Sequence, residues 1–158
     1  MQPVKSLPKR MLGIDYGMAR IGLALSDENQ IFATPYKTIQ TAKKMEQTIH
    51  KLLEVLNEIQ QTQKCEIQEV IVGLPLMMNG KQGFSADEVQ HFVEQFKIHS
   101  LLPIRTWDER LTTVQAERSL RESQMTRKKR TQMVDIVSAA IILQSYLDHR
   151  SIRHQSET

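Results

Sequence analysis

Three apolar segments fall within the first 39 residues, and the turns between them are too short to hold a crossover. Met11–Tyr16 leads into the tight turn Gly17-Met18-Ala19-Arg20, Ile21–Ser26 into the polar run Asp27–Gln30, and Ile31–Ile39 carries Pro35. Parallel strands need a connection of a dozen or more residues, so these three strands must form an antiparallel meander. Proline has no N–H to give to a ladder, which assigns the third strand to an edge or a bulge.

The period then changes. Met45, Ile49, Leu52, Leu53, Leu56 and Ile59 recur every three or four residues with Lys, Glu and Gln between them, the pattern of an amphipathic helix of about five turns whose stripe faces the core. Glu69–Pro75 reads as a buried strand ending in a Gly/Pro loop. Ser85-Ala86-Asp87-Glu88 fits a capping box opening a helix with Val89, Phe92, Val93 and Phe96 on one face. Pro103–Trp107 predicts a short strand running into Asp108-Glu109-Arg110, and Thr112-Thr113-Val114-Gln115 a second capping box with a helix to about Glu122. A last helix, about Gln132 to His149, is apolar on nearly all sides and must pack on more than one face. Three antiparallel strands followed by alternating units imply an α/β fold, a mixed five-stranded sheet with helices on both faces.

A chain of 158 residues predicts one domain over 11–150, between a flexible leader (1–10) and a flexible tail (151–158). The leader has charge but no apolar core, so it is not a secretory signal, and Ile136–Leu143 is too short for a membrane span. A single cysteine, Cys65, allows no internal disulfide and fits a reducing cytoplasm. Residues 1–100 balance 11 Lys/Arg against 11 Asp/Glu, whereas residues 101–158 carry 10 against 7, so the whole net charge of +3 lies in the C-terminal third. Arg127-Lys128-Lys129-Arg130 concentrates four of those cations, which suggests a local anionic partner rather than diffuse attraction.

Three stretches place acids where acids are costly. Asp15 stands in the first strand, Asp108 and Glu109 at the end of the last, and Asp135 on the most apolar helix. A buried carboxylate costs several kcal/mol unless a cation or hydrogen-bond donor meets it. Singly, each has an ordinary explanation: a backbone contact for Asp15, a turn cap for Asp108, a helix first turn for Asp135. Together they would repel one another without a cation between them. Oxygen ligands without His or Cys favour Mg²⁺ or Mn²⁺, and two such ions suit phosphoryl transfer. A basic run just before Asp135 would hold a polyanion there without reading its sequence. The five histidines show no metal-binding spacing, and Tyr16 and Trp107 read as core or rim packing.

Five motifs in order resemble the bacterial YqgF/RuvX family: Gly13-Ile14-Asp15-Tyr16-Gly17, Arg20–Ala24, Val72–Leu76, Asp108–Thr113 and Val134-Asp135 to Ile142-Leu143-Gln144. The resemblance spans about residues 11–148. It implies an RNase H-like fold and a nuclease that processes the 5′ end of pre-16S rRNA, or a Holliday-junction resolvase acting on branched DNA. A third reading is a ribosome- or nucleic-acid-binding module. It further implies Asp15, Glu109 and Asp135 as catalytic, metal-holding acids, with Arg20, Arg110, Arg127, Lys128, Lys129 and Arg130 near nucleic acid. The choice of Glu109 over Asp108 comes from the resemblance, since strand register is not known. One departure stands out: relatives usually read LPLNMDG where this chain has Leu74–Gly80, with Met77 for an amide and Asn79 for a carboxylate. Thr131 and Met133 also stand where relatives often carry further basic or polar residues.

Overall fold

The computed structural model describes residues 6–75, 84–111 and 134–156. Five strands, β1 (Lys9–Tyr16), β2 (Arg20–Ser26), β3 (Ala33–Gln40), β4 (Glu66–Leu74) and β5 (Ile104–Asp108), form one sheet in the order β3-β2-β1-β4-β5. β1, β2 and β3 pair antiparallel, while β1 with β4 and β4 with β5 pair parallel. The meander and the mixed sheet are as the turn lengths require. β3 lies at the edge, and its register slips opposite Leu23/Ala24, next to Pro35. β4 starts at Glu66, earlier than its apolar run, because the Glu66 N–H donates to the Pro8 carbonyl and extends the ladder with β1.

Three helices are described: α1 (Met45–Thr62), α2 (Phe84–His99) and α3 (Val134–Ser156). The 18 residues of α1 make the five turns expected, and Ile49, Leu52, Leu56 and Ile59 are buried along it. α2 opens at Phe84, one residue before Ser85, whose side chain lies outside the described residues. α3 continues past His149, since the polar residues after Leu147 extend the helix without an apolar stripe to mark its end. A single 3-10 turn, Glu109–Leu111, follows β5. The expected helix over 112–122, the basic run and the loop holding Met77 and Asn79 lie outside the described residues, as do Thr131 and Met133.

Side chains alternate across each strand, so two cores form. Leu12, Ile14, Ile21, Leu23, Val70 and Val72 point to one face and pack with α1 and α2 around Phe92 and Phe96. Met11, Ala24 and Ile71 point to the other and meet α3 through Ala139, Ile142, Leu143 and Tyr146. Burial on α3 is nearly continuous from Ala139 to Leu147, as its all-round apolar composition requires. Two polar residues in that run are satisfied by the surrounding chain. Gln144 accepts from the Ala33 N–H and donates to the Ile31 carbonyl, both at 2.8 Å, tying the β2–β3 connection to the helix.

Candidate active site

Strand alternation places Asp15 on the α3 face, two and four residues beyond Gly13 and Met11. It stands opposite Gly22 of β2, near the carboxyl end of β1. On β4 the same face carries Ile71 and then Gly73; on β5 it carries Trp107. Small residues here let the helix and the acids approach the sheet. A Cβ on Gly13 would lie 2.7 Å from Leu143 Cβ and 2.9 Å from the Ala139 carbonyl oxygen. A Cβ on Gly73 would collide with Ile142 Cδ1 and lie 2.9 Å from Glu109 Oε1. Gly73 is therefore the floor on which the Glu109 carboxylate rests.

Asp108 and Glu109 part at this point. Asp108 is taken up by Arg110, whose backbone N–H and Nε donate to Oδ1 at 2.9 and 3.1 Å and whose Nη2 donates to Oδ2 at 2.7 Å. That guanidinium fork, more than the backbone bond or plain charge attraction, holds the Asp108 carboxyl below its ordinary range. Glu109 turns the other way, over Gly73. Burial first, then the negative charges of Asp15 and Asp108, push its carboxyl above the ordinary 4.5. Asp15 and Glu109 thus share one face, one edge and one electrostatic environment.

The helix adds the third position. α3 crosses the sheet so that Ala139 and Leu143 meet Gly13, Ile142 meets Gly73, and Tyr146 reaches Glu69, which pairs with Met11. Its N-terminal end thus points toward the edge where Asp15 lies. Asp135, in the first turn, stands one turn before Ala139 and two before Ile142, in line with the stripe that touches the sheet. The Asp135 side chain lies outside the described residues.

A hydrogen-bonded relay joins β5, the 3-10 turn and α3. Trp107 Nε1 donates to Ser145 Oγ at 3.1 Å, and Ser145 Oγ donates to the Leu111 carbonyl at 2.8 Å. Ser145 is fully buried, so both bonds are made away from water and fix the ends of the turn that carries Glu109. Gly73 and Ser145 had no assigned part in the sequence reading. The available signals were a glycine at the end of a buried β-branched run, and adjacent polar residues, Gln144-Ser145, inside an apolar helix.

Arg20 opens β2 on the α3 face at the same sheet edge, where its carbonyl accepts the Gly17 N–H at 2.9 Å. Arg110 is exposed beside Asp108. Arg127, Lys128, Lys129 and Arg130 lie outside the described residues. Trp107 is a packing residue, edge-on to Tyr146 and His149 at 5.3 and 5.2 Å. Among the described residues no three His, Cys, Asp or Glu side chains cluster as metal ligands.

The sheet order and the strand-end acids define an α/β protein of the RNase H-like class. RuvC of T. thermophilus, solved in complex with a Holliday junction substrate, superposes with a TM-score of 0.54 at 12% identity over 90% of this chain and 96% of that one. The family model described as RuvX, Holliday junction resolvase, matches residues 9–149, and the chain belongs to that family. A relative from Protochlamydia amoebophila (strain UWE25), named "Putative pre-16S rRNA nuclease", is 64% identical over 92% of this chain and 97% of its own length. A relative of the same name from Endomicrobium trichonymphae is 42% identical over 90% of this chain and 97% of its own.

Proposed function

We propose that this protein is a metal-dependent nuclease that hydrolyses phosphodiester bonds in structured RNA, acting in the cytoplasm on the 5′ end of pre-16S rRNA within the ribosome precursor. The observation that carries the reading is the pair of carboxylates, Asp15 and Glu109, set against each other on the α3 face of the sheet edge. After burial, the charge of Asp15 raises the proton affinity of Glu109, and a cation between the two would remove that cost. The donors are all oxygen, which fits Mg²⁺ or Mn²⁺. Asp15, Glu109 and Asp135 would be the residues that hold the ions. Such ions would activate water and neutralise the charge that develops on the leaving oxygen.

The chain's own contribution is placement. Gly73 leaves room for Glu109 to lie flat on the sheet, and the Trp107–Ser145–Leu111 relay keeps its turn from drifting. Arg20 would hold phosphate at this edge, and the cations of the run Arg127–Arg130 would add attraction for the strand without reading its bases.

The RuvX description and the RuvC likeness favour a second reading, a resolvase of branched DNA. One assay separates them: labelled pre-16S rRNA and a synthetic four-way junction are incubated with Mn²⁺ or EDTA, beside Asp15→Asn. Metal-dependent RNA cleavage that Asp15→Asn loses is expected. Junction cleavage alone transfers the activity to DNA, and binding without cleavage under every metal leaves only a nucleic-acid-binding module.

A further inference from the structure

On the opposite face of the same sheet edge, directly behind Asp15, lies a cavity of about 460 Å³. Its walls come from Tyr16, Met18, Met45, Thr41, Asp87 and Glu88, with Ala42, Lys43 and His91 completing the lining. The volume falls in the range of small-ligand sites, and apolar walls with a few convergent polar groups are their usual composition.

The wall nearest the active site is an aromatic ring that cannot fold away. Tyr16 stacks on Phe92 with centroids 4.5 Å apart, and Phe92 stacks on Phe96 at 5.9 Å. Phe92 and Phe96 are fully buried, so the ring is backed by the rigid core. The Tyr16 hydroxyl points at Met45 Sδ, 3.9 Å away. Burial, and next the nearby Glu88 carboxylate, keep the phenol protonated. Among the described residues neither Asp87 nor Glu88 forms an ion pair. Both carboxylates can accept hydrogen bonds from N–H groups, while Lys43 and His91 bring donors to the same lining.

A site at this sheet edge that offers a backed aromatic ring, an apolar wall and carboxylate acceptors suits the base of a nucleotide, which can stack and donate N–H groups, better than its backbone. Single-stranded RNA is recognised by unstacked bases that lie on aromatic side chains and are hydrogen-bonded on their Watson–Crick edges. Asp15 and Tyr16 are consecutive on β1 and face opposite ways. A strand crossing this edge with its phosphate at Asp15 could therefore drop a neighbouring base over the edge onto Tyr16. Guanine fits the acceptors best. Its edge presents two adjacent donors, N1–H and N2–H, which match the two oxygens of one carboxylate. Adenine and cytosine set an acceptor beside their amino group, and uracil sets its single N–H between two carbonyls.

We infer that the Tyr16–Met45–Glu88 cavity receives an unstacked guanine of the substrate strand, adjacent to the cleaved nucleotide, with Glu88 accepting from N1–H and N2–H. The inference rests on the nuclease reading for the position of the strand, but its test does not need cleavage. Fluorescently labelled uridine hexanucleotides carrying one central guanine, inosine or adenine are titrated in EDTA against the wild-type chain, Glu88→Gln, Asp87→Asn and Asp15→Asn. A bidentate pair is worth about 1–3 kcal/mol, so the wild type should bind the guanine strand about tenfold more tightly than the inosine strand, which lacks the N2 amino group. Glu88→Gln should erase that ratio at an unchanged melting temperature, while Asp87→Asn and Asp15→Asn keep it. Equal binding of guanine and inosine by the wild type overturns the cavity assignment. Loss of the ratio in Asp87→Asn, with Glu88→Gln normal, overturns the role given to Glu88. A guanine preference that persists when no RNA or junction is cleaved keeps the cavity and removes the nuclease.

Discussion

Among the described residues, twenty buried ones, Phe92 and Phe96 included, pack with two helices on one side of the sheet, and ten meet helix α3 on the other. The smaller side is built of Gly13, Gly73, Ala24, Ala139 and Ala140 and contains the buried polar residues Gln144 and Ser145. Apolar area removed from water scales with side-chain size, so among the described residues the α1/α2 side contributes more of the hydrophobic stabilisation. Small residues on the α3 side give up that gain and bring backbone, helix and carboxylates into close approach. On the proposed function, stability and chemistry are divided between the faces of a single sheet. Tyr16 is where the division is crossed, since its ring rests on the larger core at the edge where Asp15 faces the smaller one.

Exchanging damage between the faces gives the largest contrast. Phe92→Ala should lower stability by about 3–5 kcal/mol in urea unfolding, whereas Asp15→Asn should leave the unfolding midpoint within experimental error or raise it. Cleavage should follow the reverse order at a temperature where both variants are folded: Asp15→Asn loses at least about a hundredfold, and Phe92→Ala retains most activity. Equal loss of stability in the two would break the division.

A smaller effect should come from Gly73→Ala, because the new methyl meets Ile142 and Glu109 Oε1. Overpacking of this kind costs about 1–3 kcal/mol, and the displaced carboxylate should lower cleavage about tenfold or more. Normal cleavage in this variant would show that Glu109 does not need its floor.

The smallest effect concerns pH. Glu109 has its carboxyl raised by burial and by Asp15, so its charged form is disfavoured in the folded chain. For a raised acid, the folded state binds the proton more tightly, and stability falls as pH climbs from the ordinary 4.5 through the folded value. In metal-free buffer, Glu109→Gln should therefore melt a few degrees higher than the wild type at neutral pH. The advantage should shrink as pH falls and vanish below the ordinary glutamate range. A constant difference at all pH values would mean that charge is not its source.

Much of the fold was legible because its cues are local. Turn lengths forced the meander, Pro35 marked the edge strand, and the periodicity of Met45–Ile59 set α1. Asp15 was legible for a related reason: an acid inside an apolar strand is an anomaly wherever the strand lies. Glu109 was not separable from Asp108, because the distinction depends on strand register against α3 and on how a neighbouring arginine folds. Trp107 faces α3, and Arg110 folds back onto Asp108. Gly73 and Ser145 were missed for the same reason, since their roles exist only once α3 lies across β1 and β4. The end of α3 escaped because polar residues carry no period that could mark it.

The chain has a single tryptophan, and it stands next to the turn that carries Glu109. Its indole N–H is fixed by Ser145, and its ring is flanked by Tyr146 and His149. Emission from an indole depends on the polarity and hydrogen bonding around it, so any shift of this turn changes the light the molecule emits. The protein therefore carries an unlabelled optical gauge within the scaffold of its candidate site, by which the arrival of the proposed cation or strand would be followed in real time.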